Sequence, residues 1–297
     1  MDYQVARLGY IAFGTPNLED SIEFYRRAVR LTVSERQAKT AFLTGDAHHH
    51  WIRFEEDAPT GVQRLGFEMV SEQALEDVKA DLKDRKIEFR ENVSNFADDR
   101  IENSIRFSDP GGLEIELYTE MAELGLAPVN TGINFERFLH AVWAAPDVTE
   151  SYDFYHDVLG FQASDWIDRR AVFMHCADRY HHGIAVLGNK ELKKSSFNHF
   201  CMLVESLDDV MRYRENAKRI GAEISSDINK HAPSGSIAVY LRDPILGHAV
   251  EYCTSHRQIE DEIDRPRVIP ALPDAINVWA RALPEPGVDM TTVLVEA

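Results

Sequence analysis

The feature that most constrains this chain is a repeat of its own sequence. RLGYIAFGTPNLEDSIEFYRRAVRL, starting at Arg7, lies without a gap over RFLHAVWAAPDVTESYDFYHDVLGF, starting at Arg137, at an offset of 130. A duplication defines the folding unit before any motif is read, because both copies must build the same structure. Leu18, Ile22, Tyr25 and Val29 step by 4, 3 and 4 residues, and Val148, Tyr152, Tyr155 and Leu159 step identically. Each copy therefore carries one apolar stripe on a helix. Asn17 with Asp20, and Asp147 with Glu150, stand at the helix starts as N-caps, the second pair as an acidic variant of the capping box.

The correspondence runs on. LGFEMVSEQALEDVKADLKDRKI from Leu65 pairs with HFCMLVESLDDVMRYRENAKRIG from His199, each an apolar strand leading into a second helix. SIRFSDPGGLEIELY from Ser104 and AVYLRDPILGHAVEY from Ala238 each read as strand, turn, strand, and the second turn is one residue longer. Each copy is thus strand, helix, several strands, then the same again, which makes an α+β chain. The expected organisation is two tandem domains, residues 1–125 and 135–255, joined by a linker in residues 121–132. Beyond Thr254 the repeat stops. Residues 256–297 include Pro266, Pro270, Pro273, Pro284 and Pro286, and are expected to wrap the second copy as an extended arm.

Charge narrows the partners. Fifty Asp and Glu face 32 Lys and Arg, a formal charge of -18, which argues against nucleic acid or an anionic membrane. No run of about 18 apolar residues could span a bilayer, and MDYQVARLGYIAF lacks the basic and apolar regions of a signal peptide, so a cytoplasmic location is expected. Cys176, Cys201 and Cys253 are odd in number and read as reduced core thiols.

The copies differ where chemistry is concerned. His140, His199 and Glu251 lie on three separate strands of the second copy, where the alignment puts Tyr10, Leu65 and Glu116 in the first. Strand alternation places Phe138, His140 and Val142 on one face, and Phe197, His199, Cys201 and Leu203 on the matching face of another strand. Two imidazoles and a carboxylate converging from a sheet form the facial triad of non-haem Fe(II) oxygenases, which leaves coordination positions open for substrate and dioxygen. A single inward histidine is ordinarily a hydrogen-bonded core residue. The conjunction in one copy alone favours a metal. His182 ends AVFMHCADRYHH, His231 opens KHAPSGS, and Tyr240 precedes the turn before Glu251; their first-copy counterparts are His50, Ala97 and Arg106. The run His48, His49, His50 reads as solvated loop histidines.

At these residues the chain resembles the type I extradiol ring-cleavage dioxygenases of the vicinal oxygen chelate superfamily, which open catechols beside their two hydroxyls. The likeness covers residues 7 to about 255. It rests on the histidines of RFLHAVW and NHFCMLVESLDDV, the glutamate of DPILGHAVEY, the pair ending RYHH, and the nine-residue step from His231 to Tyr240. The chain departs from the family at Lys230, where arginine often precedes the loop histidine, and in the extra residue between Asp243 and Glu251.

The resemblance implies four βαβββ modules, each pair curled into an open, barrel-like funnel, with metal in the C-terminal domain only. It implies Fe(II), or less often Mn(II), held by His140, His199 and Glu251, a catechol and O2 as substrates, and a symmetric homo-oligomer. His182 would serve as acid and base, with His231 and Tyr240 holding the substrate oxygen. Val142, Phe173 and Met174 are candidates for the apolar wall, with core packing as the competing role. Arg257, Arg265, Arg267 and Arg281 in the arm would meet a substrate carboxylate if the arm closes over the mouth. Two other readings are a metal-dependent isomerase or lyase of the glyoxalase type, and a module that only binds a small aromatic compound.

Overall fold

A computed structural model describes residues 3–128, 132–260 and 263–280. The first module consists of β1 (Val5–Gly14), α1 (Leu18–Phe24), β2 (Thr32–Arg36), β3 (Thr40–Thr44) and β4 (Ile52–Glu55). The second has β5 (Gly61–Met69), α2 (Glu72–Asp84), β6 (Arg90–Glu91), β7 (Ile101–Ser108) and β8 (Glu114–Met121). The third has β9 (Phe135–Ala145), α3 (Val148–Asp157), β10 (Gln162–Ile167), β11 (Ala171–His175) and β12 (Ile184–Gly188). The fourth has β13 (Ser196–Val204), α4 (Leu207–Ile220), β14 (Ile224–Lys230), β15 (Ile237–Arg242) and β16 (Ala249–Thr254). All four are βαβββ units.

Each helix begins at a side-chain cap that satisfies amides left without intrahelical partners. Asn17 accepts from the Asp20 amide, Ser71 from Ala74, Asp147 from Thr149 and Glu150, and Ser206 from Asp209. Within every module the first and last strands run parallel, and β1–β5 and β9–β13 join modules antiparallel. The first half makes an eight-stranded sheet, the second a nine-stranded one. The end strands of each sheet do not pair with each other, so both sheets stay open. The ninth strand of the second sheet is β17 (Arg267–Ile269), which adds in parallel to β10 and leads to the short helix α5 (Pro273–Ile276).

One apolar core, from Val5 to Tyr252, runs through both halves. Phe13 stacks on His248 at 4.6 Å, and the Tyr155 hydroxyl donates to Asp109 across the same junction. The opposite faces of the sheets carry smaller clusters, Tyr10, Ala12, Ile101 and Tyr118 in one half and Leu139, Cys201, Leu203, Ala238 and Cys253 in the other. All three cysteines are free and buried. Among the described residues no helix is long and apolar enough to cross a membrane.

Two bulges correct the simple alternation read from the sequence. In the β9–β13 ladder Cys201 faces His140 but Met202 faces Phe138, which leaves Leu139 as the extra residue. Val142 faces His199 but Trp143 faces Phe197, which leaves Asn198 extra. Each inserted residue reverses the faces beyond it. Phe138 therefore packs against Trp51 and Phe200, and Phe197 against Phe13, in the shared core and away from His140 and His199.

Register also corrects one counterpart. Glu251 faces Cys201 and Glu116 faces Gly66, so this part of the repeat runs at an offset of 135. The residue of the first half that matches His199 is Arg64, not Leu65. Val142 faces His199 just as Ala12 faces Arg64.

Candidate metal centre

β9, β13 and β16 are neighbours in the second sheet, and each delivers one donor to its inner face. His140 Nε2 lies 3.0 Å from Glu251 Oε2 and His199 Nε2 lies 3.2 Å from the same oxygen. One donor atom from each of the three lies within 4.8 Å of the others. His140 and Glu251 are 2% and 1% exposed, whereas His199 is partly open to a cavity. The bulge residue Asn198 sets the His199 ring, its Oδ1 lying 2.6 Å from Nδ1 and leaving Nε2 for the cluster. Burial lowers the His140 pKa and keeps its imidazole neutral. Burial works the other way on Glu251, but the His140 and His199 imidazoles outweigh it and hold the carboxyl well below its usual range. Both groups are thus in their metal-binding protonation states.

A metal fits this donor set. Glu251 Oε1 is buried without a hydrogen-bond partner, a costly state for a carboxylate oxygen in an enclosed site. Two imidazole nitrogens and a carboxylate suit divalent iron or manganese. The first half shows the same position filled from within. Glu116 Oε2 accepts from Tyr10 Oη, from Arg64 Nε at 3.2 Å and from Arg106 Nε at 3.0 Å, while Oε1 accepts from Ser94 Oγ. Tyr10 stands where the second half has His140, Arg64 where it has His199, and Arg106 faces Glu116 as Tyr240 faces Glu251. Two guanidiniums supply positive charge in the place where the second half collects metal donors. Among the described residues, every group of three close metal donors lies in the second half.

A cavity of ≈ 160 Å³ opens on the cluster, and His182, His231 and Tyr240 all line it. His231 Nε2 is 2.7 Å from Tyr240 Oη, and burial raises the tyrosine pKa well above its usual value, so the hydroxyl stays a donor. His182 stacks obliquely on His140 with ring centroids 4.2 Å apart. Burial, then the neighbouring imidazoles, lowers its pKa well below the usual value and leaves it neutral. Val142 and Phe173 line the cavity, but Met174 does not. It is the next residue along β11, and strand alternation turns it into the shared core, where it is fully buried.

Several residues of the site are absent from the sequence reading. His182 Nδ1 lies 3.0 Å from His181 Nδ1, and His181 Nε2 lies 2.8 Å from Asp165 Oδ2. The first half repeats this chain through Glu35, His49 and His50, with distances of 3.1 Å at both steps. His49 and His50 are therefore buried partners of a carboxylate, not solvated loop residues, and His48 pairs with Asp46 at 2.7 Å. The sequence signal was available, since Glu35 and Asp165 stand at the repeat offset of 130. His256 gave no such signal. Its buried ring lies 4.6 Å from that of His182 and neither of its nitrogens has a hydrogen-bond partner.

Among the described residues, the arm arginines Arg257, Arg265 and Arg267 do not line the cavity. Arg267 grips Asp165 with both Nε and Nη2, Arg257 Nη1 pairs with Asp264 at 2.9 Å, and Arg265 Nη1 donates to the Asp264 carbonyl. Arg281 lies outside the described residues.

Comparison with known proteins agrees with this architecture. The chain is 27% identical over 272 residues to biphenyl-2,3-diol 1,2-dioxygenase of Paraburkholderia xenovorans, covering 86% of this chain and 90% of the relative. It is 25% identical over 272 residues to a manganese-dependent 2,3-dihydroxybiphenyl 1,2-dioxygenase of Geobacillus genomosp. 3, covering 84% and 85%. Among solved structures, the Mn(II)-bound glyoxalase from Novosphingobium aromaticivorans shares the fold with a TM-score of 0.85 at 21% identity, over 96% of this chain and 94% of the other. Residues 7–117 and 137–252 match one family model, so the chain belongs to the Glyoxalase/Bleomycin resistance protein/Dioxygenase superfamily.

Proposed function

We propose that this chain is a metal-dependent extradiol dioxygenase, which opens the ring of a catechol beside its hydroxyls and places both atoms of O2 in the product. The observation that carries the reading is the meeting of three metal donors with three proton-handling side chains around one small cavity. The activities named for the curated relatives support it. We assign Fe(II) to His140, His199 and Glu251, with Mn(II) as the alternative. A bound metal of this kind supplies redox coupling between an electron-rich catecholate and dioxygen, and keeps positions open for both.

The side chains divide the remaining work. His182 is neutral and has Nδ1 turned to His181, so Nε2 is the atom left to take a proton from a catechol hydroxyl and return it. Tyr240 and His231, paired with each other at 2.7 Å, are assigned to hold the substrate oxygen. The apolar wall excludes water and strengthens each of these contacts. A glyoxalase-type site would draw donors from both halves. Glu116 is saturated by its own neighbours and contributes none. A module that only binds has no use for an open donor set beside a base.

We also read the chain as an N-terminal domain at 1–125, a catalytic domain at 135–255 and an arm at 256–297, assembled as a homo-oligomer. The test of function is oxygen uptake by protein reconstituted anaerobically with Fe(II) and mixed with catechols while visible absorbance is followed. Uptake of one O2 per catechol with a yellow ring-opened product is expected. Tightly bound metal without oxygen uptake would move the reading to the isomerase.

A further inference from the structure

We infer that this site takes a neutral, single-ring catechol with at most a compact apolar substituent, and that Leu187, Ala275 and Ile276 set the limit. The inference rests on the dioxygenase reading and specifies its substrate. Size is the first argument. The cavity measures ≈ 160 Å³, and an apolar cavity of about 150 Å³ is filled by one benzene molecule. One ring occupies the space beside the donors, and a larger substrate would have to extend past Ile276 at the mouth. A biaryl catechol brings a second ring that needs about as much volume again.

The boundary is held in place. One end of the cavity is fixed by His140, His199 and Glu251, to which the catechol oxygens must come. Phe173, Leu187 and Pro233 belong to the wall, and α5 contributes Ala275 and Ile276. Ala275 is 3% exposed, and the Ile276 carbonyl lies 2.6 Å from His231 Nδ1. The Ala275 carbonyl accepts from the Ala232 amide. Upstream, β17 is fastened to β10 through its ladder and through the two-pronged grip of Arg267 on Asp165. Lifting α5 to admit a second ring would break the contact that orients His231.

Charge is the second argument. Among the described residues neither lysine nor arginine lines the cavity, and Arg257 and Arg267 are committed to Asp264 and Asp165. A carboxylate on the substrate's ring would have no described lysine or arginine to pair with, and the charge of a bound metal would already be shared by Glu251 and the catechol oxygens. Carboxylated catechols are disfavoured on this ground even when their size is acceptable.

The test compares 3-methylcatechol, 2,3-dihydroxybiphenyl and 3,4-dihydroxyphenylacetate on the Fe(II)-loaded protein. Their affinities are also measured anaerobically by calorimetry. The expected kcat/KM for 3-methylcatechol exceeds both others by about 100-fold or more, with the same order in affinity. Ile276 is 57% exposed at the mouth, so its truncation spares the core. Ile276→Ala combined with Leu187→Ala should raise kcat/KM for 2,3-dihydroxybiphenyl by about 10-fold relative to 3-methylcatechol. A biaryl or carboxylated catechol used by the unmodified protein as well as 3-methylcatechol would overturn the inference and leave the dioxygenase reading standing. If none of the three consumes oxygen, that reading falls, and the order of anaerobic affinities still decides the size and charge limit. Absence of binding by all three overturns it.

Discussion

Glu116 and Glu251 occupy matching places on parallel-paired strands, and their neighbours decide what each can bind. Around Glu116 two arginines, a tyrosine and a serine satisfy both oxygens. Around Glu251 two imidazoles approach one oxygen and the other has no hydrogen-bond partner. Glu251→Gln keeps the shape and removes the charge. It should weaken Fe(II) binding by about 100-fold or more, read as metal content after gel filtration, whereas His50→Ala should keep full metal and turnover. Loss of metal in the His50 variant would show that the first half takes part. His182→Ala should retain metal while kcat drops by about 10²–10⁴-fold. His182 and His256 also come within ligand distance of His140, so metal loss on His182→Ala would recast His182 as a ligand. That His140, His199 and Glu251 set the second copy apart was legible in the sequence because the two copies could be compared position by position. The match of Arg64 with His199 was not, because the strands there run at an offset of 135. The caps Ser71 and Ser206, which differ by the same offset, mark the better alignment.

At the scale of elements, helices are the most readable parts, since caps and apolar steps are local in sequence. Asn17 and Asp147 cap as their positions indicate. The bulges at Leu139 and Asn198 depend on the partner strand and leave no mark in either segment alone. The carboxylate–histidine–histidine chain occurs in both halves, from β2 to the residues before β4 and from β10 to those before β12. It is thus a device of the module that the second half also uses to orient His182. The turn between β7 and β8 provides a pH test. Asp109 accepts from the Leu113 amide at 2.7 Å and from the Tyr155 hydroxyl of α3 at 3.1 Å, and burial pushes its carboxyl up to about 6. Its unfolded value is about 3.9, so the folded state binds the proton more tightly. The resulting stability is fully present below about pH 4 and is lost as pH rises through about 6. Asp109→Asn should therefore melt a few degrees above the parent protein at pH 8, with the advantage gone at pH 4. An advantage confined to acid would contradict the assignment.

For the whole molecule, the two sheets share one core on their helical sides and keep separate inner faces, and the chemistry is assigned to only one of those faces. Duplication made the two-copy organisation readable from the sequence, and the curling of each module pair was an implication of the family resemblance. The roof of the cavity was not readable, because the proline-containing arm has no periodicity to follow, and α5 gains its place from its contact to His231 and from the fastening of β17 upstream to Asp165, both distant in sequence. Arg267, one of the arm arginines expected to meet a carboxylate, is held instead by Asp165, buried in β10. The central claim is oxidative ring opening at the His140–His199–Glu251 centre. The most direct test is turnover of 3-methylcatechol by Fe(II)-loaded protein under isotopically labelled dioxygen, with the product read by mass spectrometry. The account predicts a ring-opened product that carries both labelled atoms of one dioxygen molecule. An unlabelled, isomerised product, or an intact ring with no oxygen consumed, would contradict it.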